Sequence, residues 1–340
     1  MKTAGVELFA ELDELAVMGF AEVVPKIPYF KRLERRIRAL LDRERPELVI
    51  LVDYPGFNMR IARAAHERGC RVLYYIAPKV WAWRTGRAKA LAENTDAVAV
   101  ILPFESEFLA SYGANAEYVG HPLLDRPDDV TPREDFFQRW GLDSTRPLLA
   151  LLPGSRSQEL THHVDAFRRI AERVMEHRPD VLPVFSRAPT VDAMPFHETG
   201  LPVVEDTRAL LRWSSAALVK SGTSTLETLL EDTPFVIAYR TSRITSALAR
   251  RVMHVDHIGL PNLVADARVV PEFVQDEVNA DTVAPVLLAL LDEGSEARAR
   301  QFDGMVEIRE RLGTPGASGR VASMACELIA ASVEVQKGGA

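Results

Sequence analysis

Short apolar runs that stop at a turn and give way to a helical stretch recur along this chain, and they recur in two separate series. ELVILVD (47–53) ends at YPGFN, and CRVLYYIAP, DAVAVIL and AEYVGHP follow it. Between them lie MRIARAAHERG, a helical stretch near Arg87 to Asn94, and PFESEFLASYG. A second series opens with LLALLP at Leu148 and runs through VLPVFS, LPVVE, AALVKSG and PFVIAYR. Its helical segments include one reaching about Glu176, then TRALLRWSS and TSTLETLLED. Runs this short and this rich in Val, Ile and Leu read as strands buried on both faces, with the intervening helices as their cover. Such a pattern requires an α/β fold, each series forming its own parallel sheet. The series are parted by polar, proline-punctuated text, DRPDDVTPREDFFQRWGLDSTRP (125–147), where a domain boundary is expected. Helical text from about Asp281 through Ala331 closes the chain. The expected organisation is two Rossmann-like domains facing a cleft, residues 1–143 and 144–305, followed by a helical tail, 306–340.

Composition narrows the function classes. The 340 residues suffice for two cores, and 47% hydrophobic with 26% charged content is that of a globular protein. A net charge of −7 argues against a dedicated nucleic-acid binder, which would gain affinity from clustered cations. Cys70 and Cys326 stand far apart with no metal-ligand spacing, so neither a disulfide framework nor a zinc site is expected, and a reducing compartment fits. No apolar run approaches the roughly 20 residues of a membrane span. The opening MKTAGVELFAELDEL carries acids where a secretory signal carries cations, so the chain is expected in the cytosol. A doubly wound domain ordinarily opens with a strand and a glycine turn; here Met1 to Val24 reads as acidic helix, and a first βα unit is expected to be missing.

Ligands of open α/β sheets bind beyond the carboxyl ends of the strands. At PGSR, Gly154 lets a ligand approach the backbone, Ser155 can cap the following helix, and Arg156 offers a planar fork suited to a diphosphate. A capped turn with a surface Arg is the equal alternative. At KSGTSTLET, Ser221, Gly222, Thr223 and Ser224 can donate to phosphate and Glu227 can accept from ribose hydroxyls, although the same spacing also spells a capping box. The stretch lacks the GxxxxGK[ST] pattern, which argues against a P-loop NTPase. Two such turns in one domain favour a nucleotide.

In the first domain, DYPGFN puts Asp53 at a strand end, where it can take a proton from a hydroxyl or merely cap the turn, and Asn58 can orient a polar substrate. IAPKVWAWRTGR gathers Trp81 and Trp83 with Lys79, Arg84 and Arg87, a mixture suited to a sugar, a phosphate or a lipid interface; one Trp is expected to be packed. His121, in GHPLLD, has a supporting role. PKIPYFKRLERRIRALL sets Leu33, Ile37, Leu40 and Leu41 on one helical face, with Lys31, Arg32, Arg35, Arg36 and Arg38 around it. This segment can lie on anionic lipid or pack as an ordinary helix with a solvated face.

Taken in order, ELAVMGFAEVV, LVDYPGFN, YYIAPKVWAWR, LPFESEF, VGHPL, LALLPGSRSQE, SGTSTLE, AYRTS and LPNLVA resemble the lipid-A-disaccharide synthase family, from Leu12 to about Ala331. The resemblance implies a GT-B fold with UDP held mainly by the second domain and the acceptor by the first. It implies transfer from UDP-2,3-diacylglucosamine to 2,3-diacylglucosamine 1-phosphate, giving a β-1,6-linked disaccharide and UDP, with no metal and no cofactor. It further implies a peripheral place at the cytoplasmic face of the inner membrane and a homodimer in which C-terminal elements exchange. On the matching motifs, Asp53 becomes the base and Arg156 the diphosphate ligand. Ser155, Ser221, Gly222, Thr223 and Glu227 line the nucleotide site, with Tyr239 and Arg240 nearby and Asn262 close to the cleft. Two departures stand out: no GEASGD-type turn opens the chain, and Gly56 stands where some members carry a second carboxylate. Two rivals remain. A UDP-sugar epimerase of the same architecture would need further acid/base carboxylates and His around the sugar, and the second half offers few. A membrane-associated binding protein without activity would agree with the missing unit.

Overall fold

A computed structural model describes residues 5–9, 20–81, 86–242 and 256–338, with side chains for all of these except 20–26 and 332–338. In the first domain α1 (Phe20–Glu44) leads into β1 (Leu48–Val52), α2 (Pro55–His66), β2 (Arg71–Tyr75), α3 (Gly86–Asn94), β3 (Ala97–Val100), α4 (Pro103–Ala110) and β4 (Ala116–Tyr118). The strands are parallel in the order β1-β2-β3-β4. Alternation sends Val72, Tyr74, Val98 and Val100 to one face, against Phe57, Ile61 and Leu91 of the helices. Leu73, Ala97 and Ala99 go to the other. Among the described residues β1 is an edge strand, with Ile50 and Val52 exposed.

After α5 (Arg133–Trp140) the second domain runs β5 (Leu148–Leu152), α6 (Ser157–His177), β6 (Leu182–Ser186), α7 (Met194–His197), β7 (Val203–Val204), α8 (Thr207–Arg212), β8 (Ser214–Lys220), α9 (Ser224–Leu230), β9 (Phe235–Tyr239), α10 (Leu260–Ala265), β10 (Glu272–Val274), α11 (Ala280–Leu291) and α12 (Glu296–Leu312). All six strands are parallel, in the order β10-β9-β8-β5-β6-β7. From β5 the chain works outward through β6 and β7, then returns to build β8, β9 and β10 on the other side. The reversal between β5 and β8 opens a crevice beyond their carboxyl ends. PGSR and KSGTS are the turns that flank it. Every residue of β5 is buried, because even positions pack into one helical layer and odd positions into the other.

Four elements differ from the sequence pattern: the short helices α7 and α10, and two that shape the architecture. The proline-punctuated linker contains α5, whose Phe136 and Phe137 bury in the second domain's core. The sheet also gains β10, three residues long and too short to show a period. Arg208 and Arg212 then pin the linker: each donates at 2.5 Å to buried Glu231, and they reach Asp129 and Asp128 at 3.2 Å.

The helical tail divides at Gly313. Residue 306 lies inside α12, which packs on the second domain. The last helix, α13 (Ala317–Gly338), returns to the first domain, where Val321, Met324 and Ala325 cover Leu73, Ala97 and Ala99. Asp125 seats it by accepting from the N–H groups of Gly316, Ala317 and Ser318 at 2.6, 3.1 and 3.0 Å. Arg320 adds a 2.7 Å bond to the Val119 carbonyl. The linker and this returning helix are thus two crossings that join the domains beside the cleft.

Candidate active site

On the second domain's side, Gly154 sits at φ 125°, and a Cβ there would stand 2.5 Å from Glu159 Oε2. The missing side chain lets Glu159, in the first turn of α6, fold back over the turn. Glu159 Oε2 accepts from Ser155 N–H at 2.9 Å, and Oε1 accepts from Lys220 Nζ at 2.7 Å and Arg156 Nη1 at 3.2 Å. Ser155 does not cap the helix, whose N-cap residue is Arg156 without a side-chain cap bond; the Glu159 carboxylate instead holds the turn before it. Lys220 ends β8, so its ion pair clamps the two turns across the crevice. Burial, the largest single influence, raises the Glu159 pKa; the Lys220 hydrogen bond and charge, with Ser155 N–H and Arg156, outweigh it and hold the carboxyl below its ordinary value. Arg156 itself is half exposed, and its bond to Glu159 is of the solvent-screened kind worth about 0–1 kcal/mol.

Fully buried His163 braces this arrangement. Its Nε2 accepts from Arg240 N–H at 2.9 Å, so the neutral ring carries its proton on Nδ1 and donates to the Glu159 carbonyl at 2.7 Å. Burial holds its pKa down to about 4, which keeps that tautomer neutral at physiological pH. Tyr239 and Arg240, at the exit of β9, are thereby tied to α6, and Lys220 Nζ stands 5.6 Å from the Tyr239 ring centroid. No role was assigned to Glu159, His163 or Lys220 from the sequence. The visible signal was Glu159 and His163 four apart, on one face of the helix after PGSR.

At the β8 turn, Ser221 Oγ donates to the Ile258 carbonyl at 2.7 Å, Thr225 Oγ1 to the Gly222 carbonyl at 2.7 Å, and Ser224 Oγ reaches the Lys220 carbonyl at 3.4 Å. Thr223 precedes α9 without capping it through its side chain. Glu227 closes no capping box here; it accepts from Arg126 Nη1 at 2.7 Å. Asn262, expected near the nucleotide, is fully buried. Its amide donates to Val270 O and Glu272 Oε1, both at 2.7 Å, while its oxygen accepts from the N–H groups of Val269 and Val270 at 3.0 and 2.8 Å. All four of its hydrogen-bonding valences are used inside the protein, so it shapes the wall rather than facing a ligand.

Across the cleft, Asp53 and Tyr54 both adopt left-handed backbone, φ 47° and 49°, at a cost of order 1–3 kcal/mol each for non-glycine residues. Asp53 N–H donates to Tyr75 O at 2.9 Å, and the Asp53 carbonyl accepts from Asn58 Nδ2 and Tyr74 Oη, both at 2.8 Å. Asn58 also donates to Val52 O at 3.0 Å, so both donors of its amide hold the turn. The exposed Asp53 lines an interdomain cavity of about 570 Å³ with Lys79, Glu105, His121, Arg126 and Thr223. His121 is buried, and its Nδ1 accepts from Leu123 N–H at 3.2 Å, which leaves the proton of the neutral ring on Nε2. Burial foremost, then the charges of Lys79 and Arg126, lower its pKa to about 4, so it serves as a neutral donor.

Trp81 is packed. Its Nε1 donates to buried Glu105 at 2.9 Å, and its ring meets Phe104 edge-on at 5.0 Å. Trp83 and Arg84 lie outside the described residues. Lys31, Arg32, Arg35 and Arg36 are exposed on α1 while Leu33 and Leu41 are buried. Phe30 of the same helix packs on Tyr54 and Phe57, with ring centroids 6.1 and 6.0 Å apart, so the basic helix adjoins the Asp53 turn.

Two parallel-sheet domains joined by a linker and a returning helix, with two glycine turns at a switch point and the one after β8 sharing a cavity with Asp53 of the other domain, define a protein of the GT-B class. Solved structures of this fold resemble the chain. They include a UDP-GlcNAc 2-epimerase from Neisseria meningitidis bound to UDP-GlcNAc (TM-score 0.65, 11% identity, 95% of this chain and 86% of that one). A calicheamicin glycosyltransferase is another (TM-score 0.55, 16% identity, 97% and 87%). At such identities the likeness speaks for fold alone. Sequence goes further: the profile of the family described as lipid-A-disaccharide synthetase matches residues 1–320. The lipid-A-disaccharide synthase of Geobacter sulfurreducens is 38% identical over 340 residues, covering 98% of this chain and 88% of the relative. That of Syntrophus aciditrophicus is 37% identical over 337 residues, covering 97% and 88%. The chain belongs to the lipid-A-disaccharide synthase family, glycosyltransferases of lipid A biosynthesis. Among the described residues no helix is long and apolar enough to cross a membrane.

Proposed function

We propose that this chain is an inverting glycosyltransferase that joins UDP-2,3-diacylglucosamine to 2,3-diacylglucosamine 1-phosphate, releasing UDP. The observation that carries the reading is the shared cavity, in which Asp53 of one domain and Thr223 of the other line the same space. Residues 144–305 hold the UDP-sugar and residues 1–143 the acceptor. Asp53 takes the proton of the acceptor hydroxyl as its oxygen attacks the anomeric carbon; the bond to the diphosphate breaks on the opposite face, inverting that carbon. Backbone N–H groups at the start of α6, beyond the Ser155 N–H that Glu159 holds, receive the departing diphosphate together with Arg156, which exchanges its weak bond to Glu159 for that ligand. The Ser221–Ser224 turn adds donors, and Glu227 meets the ribose.

Incubation with both substrates is expected to release UDP in step with disaccharide. UDP release that needs no acceptor, or conversion of the donor to an isomeric UDP-sugar, would overturn the reading in favour of hydrolysis or epimerisation.

The acyl chains of both substrates call for work at a lipid surface, the cytoplasmic face of the inner membrane. The exposed Lys31, Arg32, Arg35 and Arg36 of α1 support this, with Val6, Leu8, Phe9 and Ile27 exposed and Arg36 lying 4.4 Å over the Phe9 ring. Replacing Arg35 and Arg36 by Glu should weaken sedimentation with anionic vesicles by roughly thirtyfold or more, at about 1 kcal/mol for each cation lost near the surface; unchanged sedimentation would make α1 an ordinary packed helix. In a homodimer that exchanges C-terminal elements, the partner's last helix would take the seat that α13 holds here, with the same contacts.

A further inference from the structure

Lys79 has no part in the mechanism above, yet it stands in the same cavity. It leaves β2 on a segment whose Ala77, Pro78 and Val80 are buried, so the backbone beneath it is fixed while its own side chain opens onto the cleft. Among the described residues its ammonium has no hydrogen bond or ion pair. Glu105, an acid lining the same cavity, is already bonded to Trp81 Nε1 and to the N–H groups of Ile101 and Leu102. Although the side chain is open to solvent, the mass of both domains around the cavity disfavours its charge and lowers its pKa, while Glu105 and Asp53 pull the other way and Lys220 adds to the lowering. An ammonium without a partner in such a place gains most when an anion arrives. On the wall of the same cavity, the Nε2–H of His121 is a neutral donor with no partner among the described residues.

We propose that Lys79, assisted by the His121 Nε2–H, forms an anion subsite on the first domain's side of the cleft, and that it takes a phosphoryl group of one of the two substrates. The inference rests on the glycosyl-transfer reading for the identity of the anion, since each substrate there carries phosphate. A phosphate suits the pair of donors: Lys offers a point charge and His a directed N–H, and a tetrahedral oxyanion can meet both. The donor's diphosphate and the acceptor's 1-phosphate share this chemistry.

The test is equilibrium binding by calorimetry of three probes, inorganic pyrophosphate, UDP and the acceptor 1-phosphate, to the unaltered chain, Lys79→Met and Lys79→Arg, with thermal melting to verify folding. Loss of a charge-assisted bond should weaken the phosphate-bearing probe by roughly tenfold or more in Lys79→Met, while Lys79→Arg keeps most of the affinity. Weakening confined to the acceptor assigns the subsite to its 1-phosphate; weakening of UDP assigns it to the diphosphate. Equal binding of every probe by folded Lys79→Met overturns the subsite and leaves the transfer reading standing. Pyrophosphate binding that depends on Lys79, without affinity for UDP or the acceptor, keeps the subsite and sinks the transfer reading. An unaltered chain that binds none of the three overturns both.

Discussion

Replacing Asp53 by Asn is expected to lower the turnover of UDP release by about 10²–10⁴-fold, the usual contribution of a positioned general base, with little change in UDP affinity. Asn has nearly the same shape and cannot accept a proton at neutral pH. The fold should tolerate it, because the Asp53 turn is held by backbone atoms: its carbonyl by Asn58 and Tyr74, its N–H by the Tyr75 carbonyl. The left-handed conformation of residue 53 is also one that Asn adopts readily. Kinetics with saturating donor, together with a separate UDP titration, would check it. Normal turnover with a large loss of UDP affinity would remove Asp53 from the role of base.

Arg156→Ala is expected to reduce turnover by about 10²–10³-fold, the cost of removing one donor aimed at developing charge, and to leave the melting temperature nearly unchanged. The Arg156 side chain is 51% exposed and packs little core, and its single bond to Glu159 is screened. Glu159 keeps Lys220 and the Ser155 N–H when Arg156 is gone, so the turn retains its geometry. Turnover equal to that of the unaltered chain would make Arg156 a surface residue. A protein melting far lower would mean that the turn depends on its guanidinium.

The alternation of LVILV, RVLYY and AVAV with helices, and its restart at LLALL, was legible because burial on both faces leaves a run of apolar residues that survives in one dimension. The turns were legible for a related reason: Gly154 and the SGTS stretch need special backbone or hydroxyl chemistry whatever surrounds them. Asn262 shows the limit. As a polar residue in LPNLVA it looked available to a ligand, yet Glu272, Val269 and Val270, brought to it by the turn after α10, use all its valences. Asn58 looked similar and serves the Asp53 turn. Glu159 and Lys220 are 61 residues apart and acquire meaning only as a pair. α5 was hidden because Pro132 and its charged neighbours outweigh the two adjacent Phe in a linear reading.

By itself the sequence determined the α/β class, the two-series division, the positions of the turns and, through the order of its motifs, the family. These follow from local rules: side-chain periodicity, backbone preference and the chemistry of short motifs do not depend on distant partners. Only the tertiary structure decided the β5/β8 reversal that makes a crevice of two turns, the return of α13 to the first domain, the ion pair that joins those turns, and the convergence of Asp53, Lys79, His121 and Thr223 on one cavity. Each of these is a pairing across long stretches of chain, selected by how sheets and helices pack in three dimensions, and such a pairing leaves no period in the sequence to read.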